Sequence, residues 1–207
     1  MSDPVQRYFE HAGALVPRVR LRMVGRIRLG VWLPYRGTWE GDGRSFAWRA
    51  TTGPLRVVDR FADGRGRMEV RLGRVPLVRA GGSDVARSGA GRAAVEAAVW
   101  APGALVPERG VTWRAESENF IVAAWDVPPE RPRVRLLIDD RGAIRTATVE
   151  RWRSPRAGYL PMGGEVHAER RFGELTLASR LTVGWGFGTP RYAPFFEAEI
   201  VAAEPAP

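Results

Sequence analysis

The segment RVRLRMVGRIRL, Arg18 to Leu29, alternates with a period of two. Val19, Leu21, Met23, Ile27 and Leu29 occupy one parity, and Arg18, Arg20, Arg22, Arg26 and Arg28 the other. Successive side chains of an extended chain point to opposite faces, so the pattern describes a strand with one dry and one charged face. The same alternation returns at Met68, Val70 and Leu72 between Arg67, Glu69 and Arg71, and at Val134, Leu136 and Ile138. It returns again along Leu175, Leu177, Leu181, Val183 and Trp185. Turn chemistry separates the runs: GDG at 41–43, ADGRG at 62–66, SEN at 117–119, DDRG at 139–142 and FGE around Gly173. Connections this short join antiparallel neighbours, and dry-in, charged-out alternation is the pattern of an antiparallel sheet with one solvated face. No sequence period repeats, which argues against a propeller or solenoid.

One helix precedes the strands and a second interrupts them. Ser2 or Asp3 can cap a short N-terminal helix, with Pro4 in its first turn and Val5, Tyr8, Phe9 and Ala12 at helical spacing. SDVARSGAGRAAVEAAVW, from Ser83 as a cap to Trp100, is a second helix. Its C-terminal half carries only Arg92 and Glu96, spaced i,i+4, on an otherwise apolar surface. A helix apolar on most sides is buried on most sides. The expected fold is therefore mainly β (α+β): a strongly curved antiparallel sheet or half-barrel with a short N-terminal helix and one central helix on the concave face. No linker divides the 207 residues. A single domain is expected over 1–207, with its core at about 4–201 and a flexible tail at 202–207.

The charge balance of +9 raises nucleic acid as a partner, yet all 32 basic residues are arginines spread from Arg7 to Arg191. A phosphate-binding surface needs clustered charge, so nucleic acid is disfavoured and solvated strand faces account for the arginines. No apolar run is long enough to span a bilayer. The N-terminus has no secretory pattern, so a soluble cytoplasmic protein is expected. Without cysteine, neither disulfides nor thiolate chemistry is available.

Several motifs together resemble a known family: RYF at Arg7–Phe9, FAW at Phe46–Trp48, DRFADGRGRM at Asp59–Met68, RAAVE at Arg92–Glu96, WAPGALVP at Trp100–Pro107, GVTW at Gly110–Trp113 and RW at Arg151–Trp152. They are similar to an uncharacterised bacterial family of unknown function, marked by a helical Arg-x-x-x-Glu leading into Trp-x-Pro-x-Ala-Leu-x-Pro. Where that pattern carries Thr between Pro and Ala, this chain has Gly103. The resemblance implies a lipoprotein-localisation-factor-like architecture, a half-open antiparallel barrel covered by helices with an apolar ligand cavity. It brings no activity with it.

The candidate site follows from the residues that remain. Trp48, Trp100, Trp113, Trp125, Trp152 and Trp185 can line an apolar pocket or fill a β core. Pro102 and Pro107 make the exit from the second helix rigid, so Trp100 and Leu105 form either a plug at the mouth of the half-barrel or a cavity wall. Arg92 can anchor a ligand anion through its planar fork, or pair structurally with Glu96. Asp59, beside Arg60, Arg65 and Arg67, reads as a salt-bridge partner near a turn. The leading expectation is binding of a hydrophobic or amphipathic small molecule, fatty acid or lipid-like, by Trp48, Arg92, Glu96, Trp100, Leu105 and Trp113, with no cofactor or metal. One alternative is an enzyme using Glu96 or His167 as acid or base; another is a ligand-free scaffold. No serine sits in a Gly-x-Ser-x-Gly setting, and no glycine-rich loop has phosphate-cradling spacing.

Overall fold

A computed structural model describes residues 3–207. The alternating segments form strands of one antiparallel sheet, and the turn motifs connect them. Before the sheet, α1 (Pro4–Ala12) is capped by Asp3, whose side chain accepts from the Val5 amide; Ser2 lies outside the described residues. Six strands follow as a meander: β1 (Val19–Leu29), β2 (Val31–Gly41), β3 (Phe46–Thr52), β4 (Leu55–Ala62), β5 (Arg65–Leu72) and β6 (Val75–Gly81). After α2 (Ser83–Trp100), the second meander comprises β7 (Thr112–Ala115), β8 (Phe120–Ala124), β9 (Arg133–Ile138) and β10 (Ile144–Ser154). It ends with β11 (Gly158–Phe172), β12 (Leu175–Trp185) and β13 (Ala193–Pro205).

The two meanders join where β13 pairs with β1, giving 13 strands in the order β6-β5-β4-β3-β2-β1-β13-β12-β11-β10-β9-β8-β7. The residues expected to form a tail belong to this seam. Ala202, Ala203, Glu204 and Pro205 oppose Arg22, Leu21, Arg20 and Val19, so β13 extends past residue 201. Pairing along β1 satisfies backbone groups that a free tail would leave to water.

The connection from edge β6 to edge β7 is α2. The sheet curls around this helix, which packs chiefly on β5 in one arm and β10 in the other. From Gly89 to Trp100 every α2 residue is buried except the half-buried Arg92 and Glu96, as an all-round apolar helix requires. Its cap differs from expectation: Gly82 occupies the N-cap and Ser83 is the first helical residue, with no side-chain capping bond. Gly91 allows the close approach to β10, because a Cβ there would lie 3.1 Å from Arg151 Cγ.

Beyond Trp100 the chain leaves the helix at Ala101 and makes two short 3-10 turns, Pro102–Leu105 and Pro107–Arg109. Gly103 has a physical reason here. A Cβ would lie 2.2 Å from the carbonyl carbon of Leu15 and 2.4 Å from Val16 O, so the segment between α1 and β1 leaves no room for threonine. Leu105 is fully buried, packed on Gly43 in the turn between β2 and β3.

The DDRG turn shows how local chemistry holds the meander. The Asp139 carboxylate accepts from the amides of Arg141 and Ala143 and from the Arg145 guanidinium. Burial pushes its pKa up, but those donors outweigh burial and hold it below the usual carboxylate range. A carboxyl depressed in the folded state stabilises above its unfolded pKa, and that contribution is lost as pH falls through the folded value. Asp139→Ala is therefore expected to cost about 1–2 kcal/mol at neutral pH, with the difference from wild type shrinking as the solution is acidified. Urea unfolding of both proteins between neutral and strongly acidic pH checks this; a pH-independent difference would contradict it.

Candidate functional site

Strand register gathers a row of inward side chains across one arm of the sheet. Trp39 opposes Trp48, Trp48 opposes Asp59, and Asp59 opposes Met68. From the concave side, Arg92 and Glu96 on α2 meet this row. Arg92 Nη1 donates to Asp59 Oδ2 at 2.6 Å, and its Nε donates to Glu96 Oε1 at 2.7 Å. The second Glu96 oxygen accepts from Trp39 Nε1 at 2.6 Å. The guanidinium also lies over the rings of Phe46, at 4.5 Å, and Trp48, at 5.5 Å. Burial would pull the Arg92 pKa down, but Glu96 and Asp59 outweigh it and hold it above the ordinary value. Asp59 thus pairs with the helix instead of with the arginines near its own turn.

Between this cluster, the far part of α2 and the middle strands lies a cavity of about 520 Å³. Its walls are mainly apolar, with Trp48, Val99, Trp100, Met162, Val183 and Phe196 among them. Leu29 and Val78 also border it and are 49% and 43% exposed, so an apolar rim continues outward along β1 and β6.

Four of the expected site residues, Trp48, Arg92, Glu96 and Trp100, border this cavity; Leu105 and Trp113 do not. Leu105 seals the adjoining core, and Trp113 Nε1 donates to the Leu105 carbonyl while its ring packs on Tyr8 and Phe9 of α1. Among the other tryptophans of the described residues, only Trp185 borders the cavity. Trp125 is fully buried with its Nε1 on Gly43 O, and Trp152 bonds Asp84 beneath the Arg87 guanidinium.

The acid–base candidates are not brought together. His167 bonds Thr182 in a second, more open groove lined by Arg26, Arg36, Arg180, Glu197 and Glu199, and both Glu96 oxygens are engaged. Among the described residues no group of three His, Asp or Glu side chains is placed to hold a metal.

One cavity residue that sequence reasoning passed over is Arg151. On β10 it shares the inward parity of the buried Ala147 and Val149. Its Nε donates to the Ser88 carbonyl and hydroxyl, and Nη1 lies 2.9 Å from Met162 Sδ. Among the described residues no carboxylate oxygen lies within ion-pair distance of it. Burial, and then repulsion from Arg92, push its pKa down to about 10 against the smaller pull of Asp59 and Glu96. An arginine on the dry parity of a strand was the signal that could have found it.

The model of a family of unknown function, DUF6544, matches residues 3–198. The chain belongs to DUF6544. The lipoprotein-localisation-factor-like architecture implied by the sequence motifs is also what this DUF6544 member shares with solved structures. A DUF1329 family protein from Desulfovibrio piger superposes with a TM-score of 0.51 at 10% identity, covering 98% of this chain and 93% of that one. A putative outer membrane lipoprotein-sorting protein domain from Vibrio parahaemolyticus gives 0.51 at 6% identity, over 97% and 90%. A LolA superfamily protein from Nitrosomonas europaea gives 0.51 at 8% identity, over 99% and 92%. At these identities the likeness concerns the fold. No curated protein matches the DUF6544 chain, and among its described residues no helix is long and apolar enough to cross a membrane.

Proposed function

We propose that this DUF6544 protein binds a hydrophobic or amphipathic small molecule between α2 and the curved sheet. The observation that carries the reading is the apolar cavity of about 520 Å³, a size within the roughly 300–1,000 Å³ of small-molecule sites. A packed scaffold would fill such a space with side chains, since empty volume in a core forfeits contacts. The exposed apolar rim at Leu29 and Val78 provides a path for an apolar chain to enter. The fold shared with a putative outer membrane lipoprotein-sorting protein domain and with a LolA superfamily protein supports a carrier role.

The test uses the neutral fluorophore N-phenyl-1-naphthylamine. Its emission is expected to rise on addition of the protein and to saturate near one equivalent. Val183→Trp, which fills the cavity from β12, is expected to suppress that rise by about tenfold or more while the protein stays folded by near-ultraviolet circular dichroism. No emission change with wild-type protein would leave a ligand-free scaffold as the reading. An unchanged rise with folded Val183→Trp would place the probe elsewhere.

A further inference from the structure

Six charged residues border the cavity, Asp59, Arg92, Glu96 and Arg151 from inward positions and Arg28 and Glu165 exposed at its margin. They are formally neutral together, but they are not equally matched. Arg92 spends its donors on Asp59 and Glu96, and Glu96 is further held by Trp39. Arg151 has only a backbone carbonyl, a hydroxyl and a thioether, and its Nη2 donates to no protein acceptor in the described structure. Its stem is fixed against Gly91, so the guanidinium is preorganised at the cavity wall. Trp185, with a ring centroid 5.2 Å from the Arg151 guanidinium carbon, adds an apolar surface beside it. Neutral acceptors compensate a desolvated guanidinium less well than an anion does.

We propose that Arg151 is the head-group anchor of the site and that its ligand is an amphipathic anion, a single apolar chain ending in a carboxylate or phosphate oxyanion. This rests on the binding proposed above and moves the anchoring role from Arg92, whose donors are already engaged, to Arg151. The oxyanion accepts from Nη2 while the chain runs along the apolar wall toward the rim at Leu29. The lowered pKa of Arg151 fits this arrangement, because it reflects a cation short of compensating charge until an anion arrives.

Displacement of bound N-phenyl-1-naphthylamine separates this inference from the binding itself. Dodecanoate, dodecyl phosphate and dodecanol carry the same chain with different heads. Wild-type protein is expected to release the fluorophore at concentrations of at least one anionic competitor about tenfold or more below that of dodecanol. The better of the two anions identifies the head group. Arg151→Met, which keeps an unbranched apolar stem, is expected to lose that preference, read as the ratio of anion to dodecanol displacement so that any change in fluorophore affinity cancels, and to melt about 2–4 °C higher for want of the uncompensated charge. Arg151→Lys, which keeps a charge, is expected to retain part of the preference and serves if Arg151→Met does not fold. Equal displacement by dodecanol and both anions in wild type would overturn the anchor while leaving the cavity reading standing. So would an unaltered preference in folded Arg151→Met. Failure of the fluorophore itself to bind wild type would instead remove the cavity reading on which the anchor rests.

Discussion

Arg92→Met is expected to destabilise the protein by about 3–5 kcal/mol, as removing one partner from a buried ion pair does elsewhere. The Arg92 side chain is only 13% exposed, and its loss leaves Asp59 and Glu96 facing each other's charge across an apolar wall. Trp39 Nε1 would then be the one donor in this network still bonded to Glu96. Methionine replaces much of the stem, so the cost reflects stranded carboxylates more than lost packing over Phe46 and Trp48. The combined Arg92→Met, Asp59→Asn and Glu96→Gln protein is therefore expected to recover most of the loss, because no unpaired charge remains. Urea unfolding gives both quantities. A single-variant cost below about 1 kcal/mol would mean that the cluster behaves as a solvated surface pair. A triple variant no more stable than the single one would show that packing or geometry, not charge, carries the effect. Opposite stability changes for Arg92→Met and Arg151→Met would divide the cavity arginines into one that holds the fold and one that burdens it.

The alternation that revealed the strands also determined which residues were legible at the site. β1 reads directly because Val19, Leu21 and Met23 are buried on one parity with arginines on the other. β6 shows no such contrast: Val75, Leu77 and Val78 are all exposed at a sheet edge, so burial imposes no period on the strand. Arg92 and Glu96 were legible as an i,i+4 pair on an apolar helix, and they do bond each other. Their third and fourth partners depend on which strands curl around α2, an arrangement set by register between distant segments. Arg151 and Asp59 left a trace, since each stands on the dry parity of its strand between or beside buried apolar residues. Leu105 parts from the cavity that Trp100 borders for a local reason. Ala101, at φ −138° and ψ 58°, breaks the helix between them, so the helical face that carries Trp100 does not extend to Leu105. Trp113 follows Leu105 through a hydrogen bond to its carbonyl and joins the packing against α1.

That break makes Trp100 the place where the rigid connection serves both core and cavity. Trp100 is 3% exposed, packs edge-on to Trp39 at 5.4 Å, and donates from Nε1 to the Ala178 carbonyl at 3.2 Å, yet it also borders the cavity. Trp100→Ala is expected to cost about 3–5 kcal/mol, the range for truncating a buried tryptophan. Trp100→Phe keeps an aromatic ring and loses the indole donor, for about 1 kcal/mol from the hydrogen bond together with whatever contact the smaller ring forfeits. Truncation also enlarges the cavity instead of removing its other walls, Met162 and Val183 among them. N-phenyl-1-naphthylamine should therefore still bind the folded fraction of Trp100→Ala, and it should restore part of the lost stability. Binding to the folded state alone adds about 2.7 kcal/mol when free probe is a hundredfold above its dissociation constant. Urea titrations with and without the probe check both halves. Unchanged stability would show that Trp100 is a mobile wall with little part in the core. A destabilised variant that the probe cannot rescue would show that the truncated indole is itself the surface the ligand requires.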